Sequence, residues 1–191
     1  MNYYTADSHA FHGNILKYCN RPFASVDEMN EVMVANINDR VAKGDTIYHL
    51  GDWSFGPRSK PDIQLQRAID FRSRIKCKNI ILIFGNHDYL RDNPEFRALF
   101  TKTADILQIY DPFIKQKIVL CHYAMRVWNA SHHGRYHIYA HSHGHLDPTN
   151  TFSFDVGVDC HNFCPISSND IARIMQEKYD SGIRAALQKD R

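Results

Sequence analysis

Short apolar runs alternate with amphipathic stretches along the chain, and the period of the apolar positions separates strands from helices. Asn2 to Ala6 reads as a first strand. Ser25-Val26-Asp27-Glu28 has the form of a helix capping box, and Met29, Val32, Met33, Ile37 and Val41 follow it at helical spacing. Asp45 to Leu50 reads as a second strand. Pro61 suits the first position of a helix whose broad apolar face comprises Ile63, Leu65, Ala68, Ile69 and Ile75. Asn79 to Phe84 contains the unbroken run Ile80-Ile81-Leu82-Ile83, the mark of a strand buried on both faces. Pro94 to Phe100 reads as a short helix capped by Asn93.

The second half is richer in strand candidates: Asp105 to Tyr110, Gln116 to Cys121, His137 to Ala140 and Thr151 to Val158. A last helix is expected from Asn169 to Tyr179, capped by Ser167 or Ser168. Residues 180–191 read either as more helix or as a frayed tail. Alternation of this kind predicts an α/β fold. With no repeat, low-complexity tract or linker, residues 1–191 are expected to form a single domain.

Composition narrows the class. An apolar share of 43% with 23% charged residues is that of a globular chain. No apolar stretch approaches the ~20 residues of a membrane helix. The five cysteines are odd in number, and the polar opening Met1-Asn2-Tyr3-Tyr4-Thr5 is unlike a secretory leader. Free thiols in a reducing cytoplasm are therefore expected. A net charge of +2 is too small to argue for a nucleic-acid groove. Twelve histidines are the unusual feature, and imidazole is the commonest metal ligand.

The chemistry gathers behind the strands. The first runs into Asp7-Ser8-His9, the second into Gly51-Asp52, the third into Gly85-Asn86-His87-Asp88. Later strands end at Cys121-His122 and Ala140-His141-Ser142-His143. Open α/β sheets bind ligands beyond the carboxyl ends of their strands, so these segments are expected to meet. Carboxylate, imidazole and amide oxygen suit manganese, iron or zinc, and a carboxylate can bridge two such ions. Asp7 and His9 are two residues apart, so on extended backbone they point to one side, and His141 and His143 share that spacing. Gly51 and Gly85 permit the turns that aim the following ligands.

The set resembles the calcineurin-like metallophosphoesterase superfamily, whose blocks D-x-H, G-D, G-N-H-[DE], a lone His and G-H-x-H occur here in order from Asp7 to His143. Single blocks are weak signals, but all five in order are specific. The resemblance implies a four-layer αββα sandwich: two packed mixed β-sheets flanked by helices. It implies two divalent cations, one on Asp7, His9, Asp52 and His143 and the other on Asp52, Asn86, His122 and His141, with Asp52 as the bridge. His87 would donate a proton to the leaving oxygen. The implied reaction is hydrolysis of a phosphoester by a water activated between the cations.

Two departures refine this. Ala140 stands where the family has glycine, so that turn must use ordinary dihedrals. Phe55 stands where protein phosphatases of the superfamily have the aspartate that orients the proton donor, which argues for the non-phosphoprotein branch. Asp88 is the remaining candidate partner of His87.

Around the core set, His12, Arg126 and His145 are candidate substrate contacts, and Arg135 could bind a phosphate oxygen. Trp53, Phe11 and Trp128 read equally as base-stacking platforms or as core and lid residues. His49 reads as a hydrogen-bonded core histidine, and His132 and His133 as solvated. Cys160 and Cys164 lack a second ligand pair for zinc, so buried free thiols are expected, with Cys121 facing the core. The leading functional expectation is hydrolysis of a small phosphomonoester or phosphodiester, including nucleotide-like ones. A nuclease on DNA or RNA is the alternative, and a non-catalytic binding module on the same fold a third reading.

Overall fold

The computed structural model describes residues 1–146 and 151–183. In the first sheet, β1 (Asn2–Thr5), β2 (Thr46–His49), β3 (Asn79–Ile83) and β4 (Lys102–Ala104) lie side by side in parallel. Parallel neighbours need long crossovers, and helices supply them. α1 (Ile15–Tyr18) and α2 (Val26–Arg40) join β1 to β2, α3 (Pro61–Ser73) joins β2 to β3, and α4 (Pro94–Ala98) joins β3 to β4. The second sheet has the order β5 (Ile106–Asp111), β6 (Gln116–Cys121), β7 (Tyr136–Tyr139), β8 (Ser153–Asp155). β5 and β6 are antiparallel, whereas β6–β7 and β7–β8 are parallel. The chain then returns as β9 (Ile166–Ser167), antiparallel to β1, and continues into α5 (Ser168–Asp180). Among the described residues the fold is thus α/β, with two mixed sheets and five α-helices.

Alternation along the strands divides the core. Ile47, Ile80 and Leu82 face one apolar cluster shared with Met29, Met33 and Ile37 of α2 and Ala68 and Phe71 of α3. Tyr4 and Ile83 face a second cluster, shared with Ile118 and Leu120 of β6, Ile138 of β7 and Ile171 and Met175 of α5. β3 is buried on both sides, as its aliphatic run predicts. Tyr4 also donates to the buried carboxylate of Asp111 (2.6 Å), which accepts from Ser168 as well (2.7 Å). This joins β1, β5 and α5.

Helix ends follow the capping chemistry. Ser25 accepts from the Glu28 N–H, Asn93 from Glu95 and Phe96, and Ser167 closes a full capping box with Asp170. The apolar face expected of α3 is displaced. Gln64, Ala68 and Phe71 are buried while Ile63 is exposed. Gln64 can be buried because its amide donates to the Gly56 carbonyl, and this rotation carries Ala68 and Phe71 onto Trp53. The strand expected over Thr151 to Val158 is only Ser153–Asp155, because the Asp155 carboxylate bonds the Gly157 N–H and turns the chain into a 3-10 turn at Val158–Cys160. The short elements α1, β4 and β9 carry no periodic signal. Most of the expected tail, residues 184–191, lies outside the described residues. Among the described residues no helix is long and apolar enough to cross a membrane.

Candidate metal centre

Parallel pairing puts the carboxyl ends of β1, β2 and β3 on one edge of the first sheet, so Asp7, Asp52 and Asn86 leave it together. Parallel β6 and β7 do the same for His122 and His141 in the second sheet. The two edges are joined directly: the His141 N–H donates to Asp7 Oδ2 at 2.9 Å. Ligand atoms of Asp7, His9 and His143 lie within 4.8 Å of one another, as do those of Asp52, His122 and His141, and those of His9, Asp52 and His87. Asn86 Oδ1 is 3.0 Å from His122 Nε2, and Asp52 Oδ2 is 3.3 Å from His9 Nε2 and 3.6 Å from His122 Nε2. The seven residues named from the sequence, and His87, therefore share one place. His9 and Asp52, each shared by two of these groups, link them through the third.

The local backbone is not the extended one expected of D-x-H. Asp7 (φ 54°), His9 (46°), Asp52 (56°), His141 (71°) and His143 (47°) all occupy the left-handed region. For non-glycine residues this costs of order 1–3 kcal/mol each, and such outliers cluster at functional sites. Single left-handed residues, rather than strand alternation, aim these side chains. Ala140 keeps ordinary dihedrals, as its side chain requires. Gly85 serves by closeness: a Cβ there would stand 2.2 Å from Asp52 Oδ1, and one on Gly51 would stand 2.4 Å from the Gly85 nitrogen.

The donor set fits cations. Asp7 Oδ1 and His9 Nε2 are buried with no hydrogen-bond partner, a costly state for polar atoms unless an ion meets them. Burial pushes the His122 ring down to about 4, so it is neutral at pH 7 and carries one proton. The Leu50 carbonyl, 2.6 Å from Nδ1, accepts that proton. Nε2 therefore meets Asn86 Oδ1 and Asp52 Oδ2 with a lone pair, and three electron-rich atoms converge. His143 is oriented likewise, its Nδ1 donating to Asp159 at 2.7 Å, but against the pull of burial that carboxylate and its neighbours raise the ring to about 10, so an ion on Nε2 would have to displace a proton. Backbone or carboxylate partners of this type set the tautomer of ligating histidines. Burial raises Asp7 well above the usual carboxylate range and Asp52 to about 6, and lowers His9. Each of these shifts removes charge, and a divalent ion would reverse the shifts of the carboxylates.

Supporting residues complete the centre. Arg21, with a fully buried side chain, clamps Asp159 and the carbonyls of Asp7 and Ser8. Asp155 accepts from Ser142 and Gly144 in the last ligand loop. Asp88 is not the partner of His87. Its buried carboxylate accepts from the N–H groups of Asp52 (3.0 Å), Trp53 (3.1 Å) and Gly85 (2.8 Å), locking two ligand turns together. The ring of His87 bonds the Tyr89 hydroxyl instead. Nothing in the spacing marks Arg21, Asp159 or Tyr89.

The other sequence candidates divide. His12 is buried beside the centre, stacked on Phe55 with centroids 3.8 Å apart, and burial lowers it to about 4. Arg126 and His145 are exposed, and neither side chain has a hydrogen bond or ion pair among the described residues. Arg135 is held by Gln108 on β5. Trp53 is core, with its indole N–H on the Ala68 carbonyl, and Trp128 is buried with its own on the Arg135 carbonyl. Phe11 packs against the first cluster under Arg67, so none of the three is a free stacking platform. His49 is a buried histidine bonded to Ser8, His132 and His133 are exposed, and Cys121 is buried. Cys160 is exposed and Cys164 half-buried rather than buried, because the 3-10 turn carries them to the surface. A cleft of about 720 Å³ adjoins the centre, lined by Asn86, Tyr89, Tyr123 and Arg58 among others.

No family model matches the chain. It is 29% identical over 182 residues to the uncharacterized protein MJ1445 of Methanocaldococcus jannaschii, an alignment covering 92% of this chain and 91% of that one. Its fold is similar to that of AQ665, a protein of unknown function from Aquifex aeolicus solved by crystallography. The TM-score is 0.69 at 20% identity, covering 91% of this chain and 98% of that one.

Proposed function

We propose that this chain is a binuclear metal-dependent phosphoesterase of the calcineurin-like kind, with the four-layer αββα arrangement, acting on small phosphomonoesters or phosphodiesters. The observation that carries the reading is the convergence of unpartnered buried donors, above all Asp7 Oδ1 and His9 Nε2, around Asp52. Asp7, His9, Asp52 and His143 would hold one ion, and Asp52, Asn86, His122 and His141 the other. Manganese, iron or zinc suits this mixture of carboxylate, amide and imidazole. When bound, the ions supply a water acidified toward neutral pH and positive charge for the phosphoryl oxygens.

The chain's own residues supply the rest. Leu50 and Asp159 occupy Nδ1 of His122 and His143, so Nε2 is the nitrogen each ring would offer to an ion. His87, half-buried beside His9 and Asp52, would protonate the leaving oxygen. Phe55, rather than a carboxylate, lies 5.8 Å from the His87 ring, which favours small esters over phosphoprotein substrates. The test is reconstitution of the purified protein with manganese, zinc or iron, elemental analysis, and hydrolysis of mono- and bis-nitrophenyl phosphate against His87→Ala. Metal uptake with turnover above that control supports the reading. A protein that takes up none of the three metals and turns over neither ester ends it. A nuclease would add a steep fall of affinity with salt, which the same assay on oligonucleotides detects.

A further inference from the structure

We propose that Tyr89 is the positioning residue for His87, holding its ring so that Nε2 faces the leaving oxygen; this rests on the phosphoesterase reading above. A proton donor needs a partner on its far nitrogen, or the ring turns and either nitrogen can carry the proton. The usual suppliers of that partner are absent or committed here. Phe55 offers only a ring edge, and Asp88 is taken by three backbone N–H groups. His9 and His12 lie 5.1 and 6.2 Å away, ring centre to ring centre, with no hydrogen bond to His87. Among the described residues, the bond made by the His87 ring is Nδ1 to Tyr89 Oη, at 3.0 Å.

The arrangement is built rather than incidental. The Tyr89 N–H donates to the His87 carbonyl at 2.9 Å, and this tight turn folds Tyr89 back over the residue it serves. The Tyr89 ring stands edge-on to His87 with centroids 5.7 Å apart. On it sits the Arg58 guanidinium, 5.1 Å from the ring centre, and no carboxylate of the described residues pairs with Arg58. A cation on a tyrosine face restrains the ring. Tyr89 is thus held on its ring face by Arg58 and meets His87 through its hydroxyl.

In the reaction Nδ1 of His87 stays bonded to Tyr89 Oη, which would leave Nε2–H aimed at the ester oxygen. The P–O bond breaks, its electron pair goes to that oxygen, and the Nε2 proton follows. The ring is left neutral with its remaining proton on Nδ1, still bonded to Tyr89, and Nε2 regains a proton from solvent. Tyr89 itself neither gains nor loses one.

The test compares Tyr89→Phe with the parent chain on two esters, phenyl phosphate, whose leaving group needs protonation, and 2,4-dinitrophenyl phosphate, whose leaving group does not. General acids contribute about 100- to 10,000-fold, and positioning is part of that. The expected result is a roughly 10- to 100-fold loss of kcat on phenyl phosphate, less than about threefold on the dinitrophenyl ester, and unchanged metal content. Equal losses on both esters, or loss of metal, overturn the proposal by making Tyr89 merely structural. No loss on either overturns it too. A readout independent of turnover is the 15N shift of the His87 ring in the metal-free protein. Tyr89→Phe should change the ratio of the two neutral forms of the ring, and an unchanged ratio also overturns the proposal. Failure of the parent chain to hydrolyse either ester instead sinks the phosphoesterase reading and leaves the ring measurement to decide the tyrosine's part.

Discussion

Arg21 and Asp159, 138 residues apart, form a two-pronged pair: Nε meets Oδ1 and Nη2 meets Oδ2, each at 2.8 Å. The same guanidinium bonds the carbonyls of Asp7 (2.7 Å) and Ser8 (3.1 Å), and the same carboxylate accepts from His143. One buried cation thus fixes the backbone of the first ligand loop and, through Asp159, the ring of a ligand from the other sheet. A planar fork of donors is needed for this, and a lysine has none.

Arg21→Ala leaves Asp159 with His143 as its remaining partner and two carbonyls unmet, and should lower stability by about 1–3 kcal/mol in urea unfolding. Arg21→Lys keeps the charge but loses the fork, so it should recover only part of that stability. Both should weaken cation uptake, measured by equilibrium dialysis. Wild-type uptake in Arg21→Ala would show that the pair supports folding alone.

Gly85→Ala should disable the centre, because its Cβ would press on Asp52 Oδ1 and on the His122 ring. Gly44→Ala is the control, with nothing within 4 Å of its Cβ. The expectation is lost cation binding in the first and unchanged binding in the second, with near-wild-type circular dichroism in both.

Asp88→Ala removes the acceptor of three buried N–H groups, each worth about 1–3 kcal/mol when left unpaired. Stability should fall on the order of 3 kcal/mol or more. Asp88→Asn, which keeps one oxygen, should fall less. If Asp88 acted on His87 instead, turnover would drop while the melting temperature held.

Acid sensitivity should come from buried neutral histidines. His137 donates Nδ1–H to the Val119 carbonyl and accepts the Met125 N–H on Nε2, so a second proton would break a bond. Burial lowers it below the usual 6.5 and lowers His49 to about 3. Their folded-state pKa values lie below those of the unfolded chain, so their contribution is full above pH 6.5. It declines as pH falls from there toward about 3, where the unfolded chain takes protons that the folded one refuses. Each group adds a slope of up to about 1.4 kcal/mol per pH unit. Urea titrations of the metal-free protein at stepped pH read this slope, and His137→Gln should flatten it. An unaltered slope in that variant would remove His137 from the account.

Much of the architecture was legible because it rests on periodicity. The aliphatic run at Ile80 to Ile83 and the caps at Ser25, Asn93 and Ser167 each announce an element by a local rule. The seven candidate ligands were legible because each follows a strand. What escaped depends on partners far along the chain. Gln64 is buried only because Gly56 is beside it, and Asp159 matters only because Arg21 and His143 reach it. Asp88 looked like a partner for its neighbour, but the turn directs its carboxylate at three main-chain donors. The short elements α1, β4 and β9 hold too few residues to show a period.

The centre draws Asp7, His9, Asp52 and Asn86 from the first sheet and His122, His141 and His143 from the second. Any ion gripped by both sets becomes a further cross-link between halves already joined by apolar contact and by bonds such as Tyr4 to Asp111 and the His141 N–H to Asp7. Occupancy and folding would then rise together, by about 2.7 kcal/mol at a hundredfold excess of free ion over its dissociation constant. Under that coupling, starving cells of such metals would thin the population of folded molecules.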